Sequence, residues 1–158
     1  MINKNTNRPI VFLDFDGVLH PADYLNFSTI NGELVLANDV RFCWAKALWN
    51  LIREFDCQLV IHSSWRNSYT LEQLRNFLPV ELGMRVVAIT TGNNRYQSIL
   101  GYVEKSEVAS YIILDDAADE FPNDCVELLL CKDDKGISSP AIQEKLTQFL
   151  EEFCHHKI

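Results

Sequence analysis

Glycine and proline are scarce in this sequence, at 6 and 5 of 158 residues, and neither clusters. That scarcity excludes collagen-like and low-complexity chains. No apolar run approaches the roughly 20 residues that a membrane helix requires. The opening stretch, MINKNTNRP, has no apolar leader core, so a cytoplasmic protein with no membrane partner is expected. Basic residues are outnumbered, 14 against 22 acidic, for a net charge of −8. Such a chain is a poor generic binder of nucleic acid, although a local basic pocket for a phosphorylated substrate remains open. The cysteines Cys43, Cys57, Cys125, Cys131 and Cys154 are odd in number, scattered, and form no Cys-x-x-Cys pair. They read as reduced, mostly buried thiols rather than a disulfide frame or a zinc site. What is present, 47% hydrophobic and 23% charged residues, is the composition of a globular protein. The length favours a single domain over residues 1–158.

Apolar periodicity divides the chain into short elements. Ile10–Phe15 is an apolar run ending in acid and glycine, as a buried strand ends. Residues 20–38 read as irregular, around Pro21, Asn31 and Gly32. Asp39 can cap a long helix to about Phe55, because apolar residues from Val40 to Phe55 recur at helical spacing. Gln58–His62 is a second strand. Thr70 caps a short helix that stops before Pro79. Arg85–Ile89 is a third strand, followed by a helix from about Arg95 to Lys105. Tyr111–Leu114 and Val126–Leu130 are the fourth and fifth strands, and Ser139-Pro140 opens a last helix. Strands alternating with helices imply right-handed crossovers. The expected fold is a three-layer α/β, Rossmann-like architecture with a central, mostly parallel sheet of about five strands. Such sheets bind ligands beyond the carboxyl ends of their strands.

Several polar residues stand at those ends. The first strand closes in Asp14-Phe15-Asp16-Gly17. Two carboxylates one residue apart at a strand tip point the same way. Burying them together is costly without a cation, and hard oxygen ligands suit Mg²⁺. Asp115-Asp116 closes the fourth strand, and a parallel sheet places this second acidic pair at the same edge. A divalent metal would reconcile the four charges; the bland reading is two unrelated acidic turns. His62-Ser63-Ser64-Trp65-Arg66 follows the second strand, where hydroxyls and amides can hold a phosphate oxygen, although Ser-Ser after a strand is usually only loop. Topology puts Arg95 and Arg66 at this edge, and Lys105 and Arg85 at the opposite one. His62, Cys57 and Cys131 read as core residues, and His155 and His156 are given no role.

The segment VFLDFDGVLH at 11–20, IHSSWR at 61–66, Arg95, and ILDD at 113–116 resemble, in order, the motifs of the haloacid dehalogenase (HAD) superfamily. The SSWR segment is similar to small HAD domains of multidomain RNA repair proteins. The resemblance implies that Asp14 is the nucleophile forming an aspartyl-phosphate and Asp16 the general acid/base. Ser63, or Ser64 one residue later, binds the transferring phosphoryl group, and Arg95 is the cation of the third motif. Asp14, Asp115, Asp116 and the backbone carbonyl of Asp16 would form the Mg²⁺ shell, with either Asp115 or Asp116 touching the metal directly. Asp16 would have to start protonated, held so by its neighbours. The intervals on either side of Ser63 are too short for a full cap domain, so an open, capless site is expected. Its rim would draw on His20, Tyr24, Trp65, Arg66 and Tyr69, although Trp65 and Tyr69 can equally pack beneath the loop.

The reading that follows is a Mg²⁺-dependent phosphatase acting on a phosphomonoester of unknown identity. A nucleic-acid end is a less favoured substrate, because the chain is acidic and shows no aromatic–basic stripe. The alternative is a non-catalytic or partner-dependent phosphate-binding module with a receiver-like acidic Mg²⁺ site. A receiver needs a phospho-accepting aspartate after the third strand, where this chain has Thr90-Thr91-Gly92.

Overall fold

The computed structural model describes residues 8–154. His155 and His156 lie outside the described residues. Five strands build the central sheet: β1 (Ile10–Leu13), β4 (Gln58–Ile61), β5 (Val86–Ile89), β6 (Tyr111–Asp115) and β7 (Leu128–Leu130). They pair in parallel in the order β5-β4-β1-β6-β7. The strands β2 (Leu25–Ile30) and β3 (Glu33–Asp39) form a separate antiparallel hairpin between β1 and the first helix. The helices are α1 (Ala45–Ile52), α2 (Leu71–Phe77), α3 (Val80–Gly83), α4 (Arg95–Lys105) and α5 (Pro140–Phe153).

The sheet is covered on both faces, which is why β1 reads as an unbroken apolar run. Val11 and Leu13 pack with Leu48 and Ile52 of α1 and with Leu146 and Leu150 of α5. The alternate residues, Ile10 and Phe12, pack with Ile99 of α4 and with Ile113. This is the α/β three-layer architecture expected from the sequence, without a large cap. The chain order reverses at β1: β4 and β5 extend the sheet on one side, β6 and β7 on the other. The crevice beyond the tips of β1 and β6 is therefore the switch point, where open α/β sheets bind their ligands.

The largest departures from the sequence expectation lie between residues 25 and 45 and at the start of the fifth strand. Residues 25–39 are a hairpin and not irregular chain. Its turn is Asn31-Gly32, with φ of 52° and 81°. Left-handed conformations at both central residues match the right-handed twist of a two-residue hairpin, and Asn-Gly supplies them at low steric cost. The long helix expected from Asp39 begins only at Ala45. Asp39 ends β3, and its carboxylate accepts from the backbone N–H and guanidinium of Arg41. Phe42 then takes a φ of 58°, which no α-helix can contain. The fifth strand starts at Leu128, and Val126 stands 87% exposed outside it.

Local chemistry sets the other helix starts. At α2 the Thr70 hydroxyl accepts from the Gln73 N–H while the Gln73 side chain accepts from the Thr70 N–H, a reciprocal capping box. At α4 the Asn94 side chain accepts from the Gln97 N–H at 2.9 Å. This cap starts the helix with Arg95 facing the switch point. Thr70→Ala is expected to lower the unfolding free energy by about 1 kcal/mol in urea titrations, the usual contribution of an N-cap.

Candidate active site

The sheet register assembles the site. Leu13 pairs with Ile61 on one side and Leu114 on the other. Ile61 in turn pairs with Ile89. One residue further along, Thr90, His62, Asp14 and Asp115 therefore stand in a row across the tips of β5, β4, β1 and β6. All four are buried. Asp116 follows Asp115, and each of Asp14, Asp115 and Asp116 offers an oxygen within 4.8 Å of the others. Gly17 makes room for this cluster: a Cβ there would meet Asp116 Oδ2 at 2.1 Å, and its φ of 76° already favours glycine.

Arg95 closes the cluster from the α4 side. Its guanidinium donates to both oxygens of Asp115 at 3.0 Å and reaches Asp14 Oδ2 at 3.5 Å. His62 holds Asp115 from below, with Nε2 2.7 Å from Asp115 Oδ2. His62 is fully buried, and its Nδ1 has no hydrogen-bond partner among the described residues. Burial holds the imidazole below its ordinary value despite the carboxylate beside it. The neutral ring thus carries its proton on Nε2, which it donates to Asp115, and leaves a bare lone pair at Nδ1. That is cheaper to bury than an orphan N–H.

These contacts divide the acids. Burial works against the charged form of Asp115, but the His62 hydrogen bond, Arg95 and the Ala117 amide outweigh it and hold the carboxyl below its ordinary value. Asp14 is held well above the usual carboxylate range, first by burial and then by the Asp115 charge, with Arg95 only partly offsetting them. Asp116 is also raised, by burial and by Asp115. Three hard oxygen donors within reach of one point, two of them unfavourably charged as they stand, fit a divalent cation.

The remaining expected residues fall into place differently. The Asp16 carboxylate is not part of the acidic cluster. Its Oδ1 lies 2.7 Å from His20 Nε2 and 3.2 Å from Trp65 Nε1. His20, expected on the substrate rim, has no exposed surface and sits between the rings of Tyr24, Phe42 and Trp65. It cannot be a rim residue, because the short loop after Asp16 folds it inward: the Gly17 N–H donates to the His20 carbonyl. Ser63 is buried at the tip of β4, and its Oγ accepts from the Trp65 N–H. Ser64 is exposed. Arg66 spends its guanidinium on Thr90 Oγ1 and the Gly92 carbonyl, tying two strand-end loops together. Trp65 packs edge-on against Phe15 and Phe77 beneath the loop, while its indole N–H meets Asp16.

Beside Trp65 opens a cleft of about 260 Å³ lined by Tyr24, Arg41, Ser64, Trp65, Ser68 and Tyr69. Sequence reasoning missed His62 as a site residue. Its signal was positional, since it is the first residue past β4 at the edge that carries Asp14. The hairpin base was missed as well, and with it Arg41 and Phe42. Cys57 and Cys131 are buried, with thiols pushed up to about 12 by burial. Such thiols are core groups and not nucleophiles.

The raised Asp14 carboxyl makes a pH prediction. A carboxyl whose folded value is raised contributes stability at low pH and loses it as the pH climbs through that value. At neutral pH without divalent cations, Asp14→Asn is therefore expected to melt several degrees above the parent protein. The gap should narrow as the pH falls and close only below the ordinary carboxylate value, where position 14 is protonated in the folded and unfolded chain alike; calorimetry across a pH series checks both.

The chain matches, over residues 10–142, the family described as the HAD domain in Swiss Army Knife RNA repair proteins. No curated protein and no solved structure matches it. The match spans the four motif segments, the whole sheet and the acidic cluster at its switch point, and the chain belongs to that HAD family.

Proposed function

We propose that the protein is a Mg²⁺-dependent phosphohydrolase that cleaves phosphomonoesters through an aspartyl-phosphate on Asp14. The observation that carries this reading is one constellation: Asp14, bridged by Arg95 to Asp115, with Asp116 within reach of the same cation. A carboxylate can approach a phosphate dianion only where positive charge offsets both. Mg²⁺ held by Asp14, Asp115 and Asp116 would supply that offset, and Arg95 adds a second positive group.

Each residue then has a task. The Asp14 carboxylate attacks phosphorus, the ester oxygen departs with a proton from Asp16, and a phosphoryl group is left on Asp14. Water, surrendering its proton to Asp16, then attacks that phosphorus, releasing phosphate and regenerating both acids. The Ser63 hydroxyl accepts the Trp65 N–H and keeps its own hydrogen to donate to a phosphoryl oxygen. This favours Ser63 over the exposed Ser64 as the phosphate-binding hydroxyl.

The leaving group must lie beside Asp16, and Trp65 joins Asp16 to the cleft. Tyr24, Trp65 and Tyr69 offer ring faces there, and Ser64 and Ser68 offer hydroxyls. This lining suits a leaving group that carries a flat ring. A terminal nucleotide of RNA is one such group, and the family's place in RNA repair proteins favours it. The net charge of −8 works against a grip on long polynucleotide. The hairpin is the largest described element between β1 and α1, which leaves the site open to bulky substrates. No described helix is long and apolar enough to cross a membrane, and reduced thiols, of which Cys57 and Cys131 are buried and Cys43 is exposed, suit a cytoplasmic setting.

Phosphate release should be measured on aryl phosphates, sugar phosphates, nucleotides, phosphopeptides and oligonucleotides phosphorylated at either end. Turnover is expected with Mg²⁺ and not with EDTA, and should vanish in Asp14→Asn. Turnover that survives in Asp14→Asn would sink the aspartyl-phosphate route. Tyr69→Ala should raise KM several-fold for ring-bearing esters and leave small alkyl phosphates unchanged. An equal effect on both classes would remove the cleft from substrate recognition.

A further inference from the structure

We infer that His20 is a positioning residue for Asp16, locked as a neutral hydrogen-bond donor by the backbone amide of Phe42. The inference rests on the phosphohydrolase reading and adds to it a residue to which that reading assigns no task.

The geometry leaves His20 a single role. Its Nδ1 lies 3.1 Å from the Phe42 nitrogen, which donates its N–H there. A ring nitrogen that accepts must carry no proton, so the proton sits on Nε2. That nitrogen is 2.7 Å from Asp16 Oδ1, and it donates. The only lone pair of the ring is occupied by Phe42, so His20 cannot take a proton from Asp16 or from water. It can only aim the carboxyl group. Full burial and the flanking rings of Tyr24, at 4.6 Å, and Phe42, at 5.0 Å, hold the imidazole in that orientation.

A second observation points the same way. Phe42 adopts a φ of 58°, a region that residues with a Cβ rarely enter. The unusual turn brings the Phe42 N–H onto His20 from 22 residues away in the chain. Strained backbone persists where the surrounding structure over-determines it, and such sites cluster near chemistry. Trp65 adds a second donor, with Nε1 at 3.2 Å from Oδ1 and 3.3 Å from Oδ2. Oδ1 therefore meets both donors, while Oδ2 has only its share of the indole N–H and is the oxygen more open to exchange a proton with the departing ester oxygen.

An amide can separate positioning from packing. In His20→Gln the side-chain NH₂ reaches the place of Nε2 and can still donate to Asp16. In His20→Asn the amide reaches only the place of Nδ1. Both variants and the wild type would be assayed with saturating Mg²⁺ on esters ranging from alkyl phosphates to nitrophenyl phosphate. An alkoxide needs a proton to depart, whereas nitrophenolate does not. Misdirected general acid catalysis therefore costs the alkyl esters most, on the order of 100-fold. His20→Asn should show that loss on alkyl phosphates and less than about ten-fold on nitrophenyl phosphate, and His20→Gln should recover most of it. Uniform losses across the series, with no advantage for glutamine, would overturn the inference and leave His20 a packing residue. Nitrogen-15 NMR of the wild-type imidazole gives a readout independent of turnover and of variant folding. A protonated Nε2 with a bare Nδ1 is expected, and a proton found on Nδ1 would overturn the assignment directly. Absence of wild-type turnover on every ester would instead overturn the phosphohydrolase reading, and with it this one.

Discussion

The carboxyl edge of the sheet is organised by the repulsion among Asp14, Asp115 and Asp116, three acids that reach a common point in a largely buried crevice. Their mutual proximity is imposed by strand register, because Asp14 and Asp115 are in-register neighbours on adjacent parallel strands. Every nearby polar group answers that constraint. Arg95 spans two of the acids. His62 and the Ala117 amide satisfy Asp115 with hydrogen bonds, so that one acid stays charged. Asp14 receives less: its own neighbour's amide, at Phe15, and the far end of Arg95. Asp14 is thus left electrostatically unsatisfied, a cost in stability that a bound cation would relieve.

Asp14 and Asp16 are two residues apart, yet they live in different surroundings. The first faces other acids and an arginine; the second faces an imidazole and an indole N–H. Unlike environments push like groups to titrate apart. The loop from Gly17 to His20 achieves this separation. Gly17 turns in a left-handed conformation against Asp116, and the loop folds His20 back under Asp16. A side chain at position 17 would disturb both halves of the site at once.

The hairpin and the aromatic cluster form the other side of the crevice. Trp65 is their common member, packed against Phe15, Phe42 and Phe77 while its indole N–H points to Asp16. Phe42, at the foot of the hairpin, packs on Trp65 and supplies the amide that orients His20. The cleft beside Trp65 and the Asp16 carboxylate thus share one set of rings, and a change in the hairpin base is felt at Asp16.

The apolar runs of β1, β4 and β6, the Thr70 cap of α2, the Ser139-Pro140 start of α5, and the acids at the strand tips were legible in the sequence. Burial, periodicity and capping act over a few residues, and DxDGV and DD each stand where a buried strand must end. Residues 20–38 read as irregular, because the hairpin stands off the main sheet with Phe27 and Leu34 exposed and no core-facing apolar run announces its strands. Tertiary structure alone decided that His62 supports Asp115, that His20 turns inward rather than lining a rim, and that the helix expected at Asp39 waits until Ala45. These outcomes depend on register and on contacts such as His62 with Asp115, 53 residues apart. A one-dimensional pattern records which side chains are apolar or charged, but only the packed chain determines which of them meet.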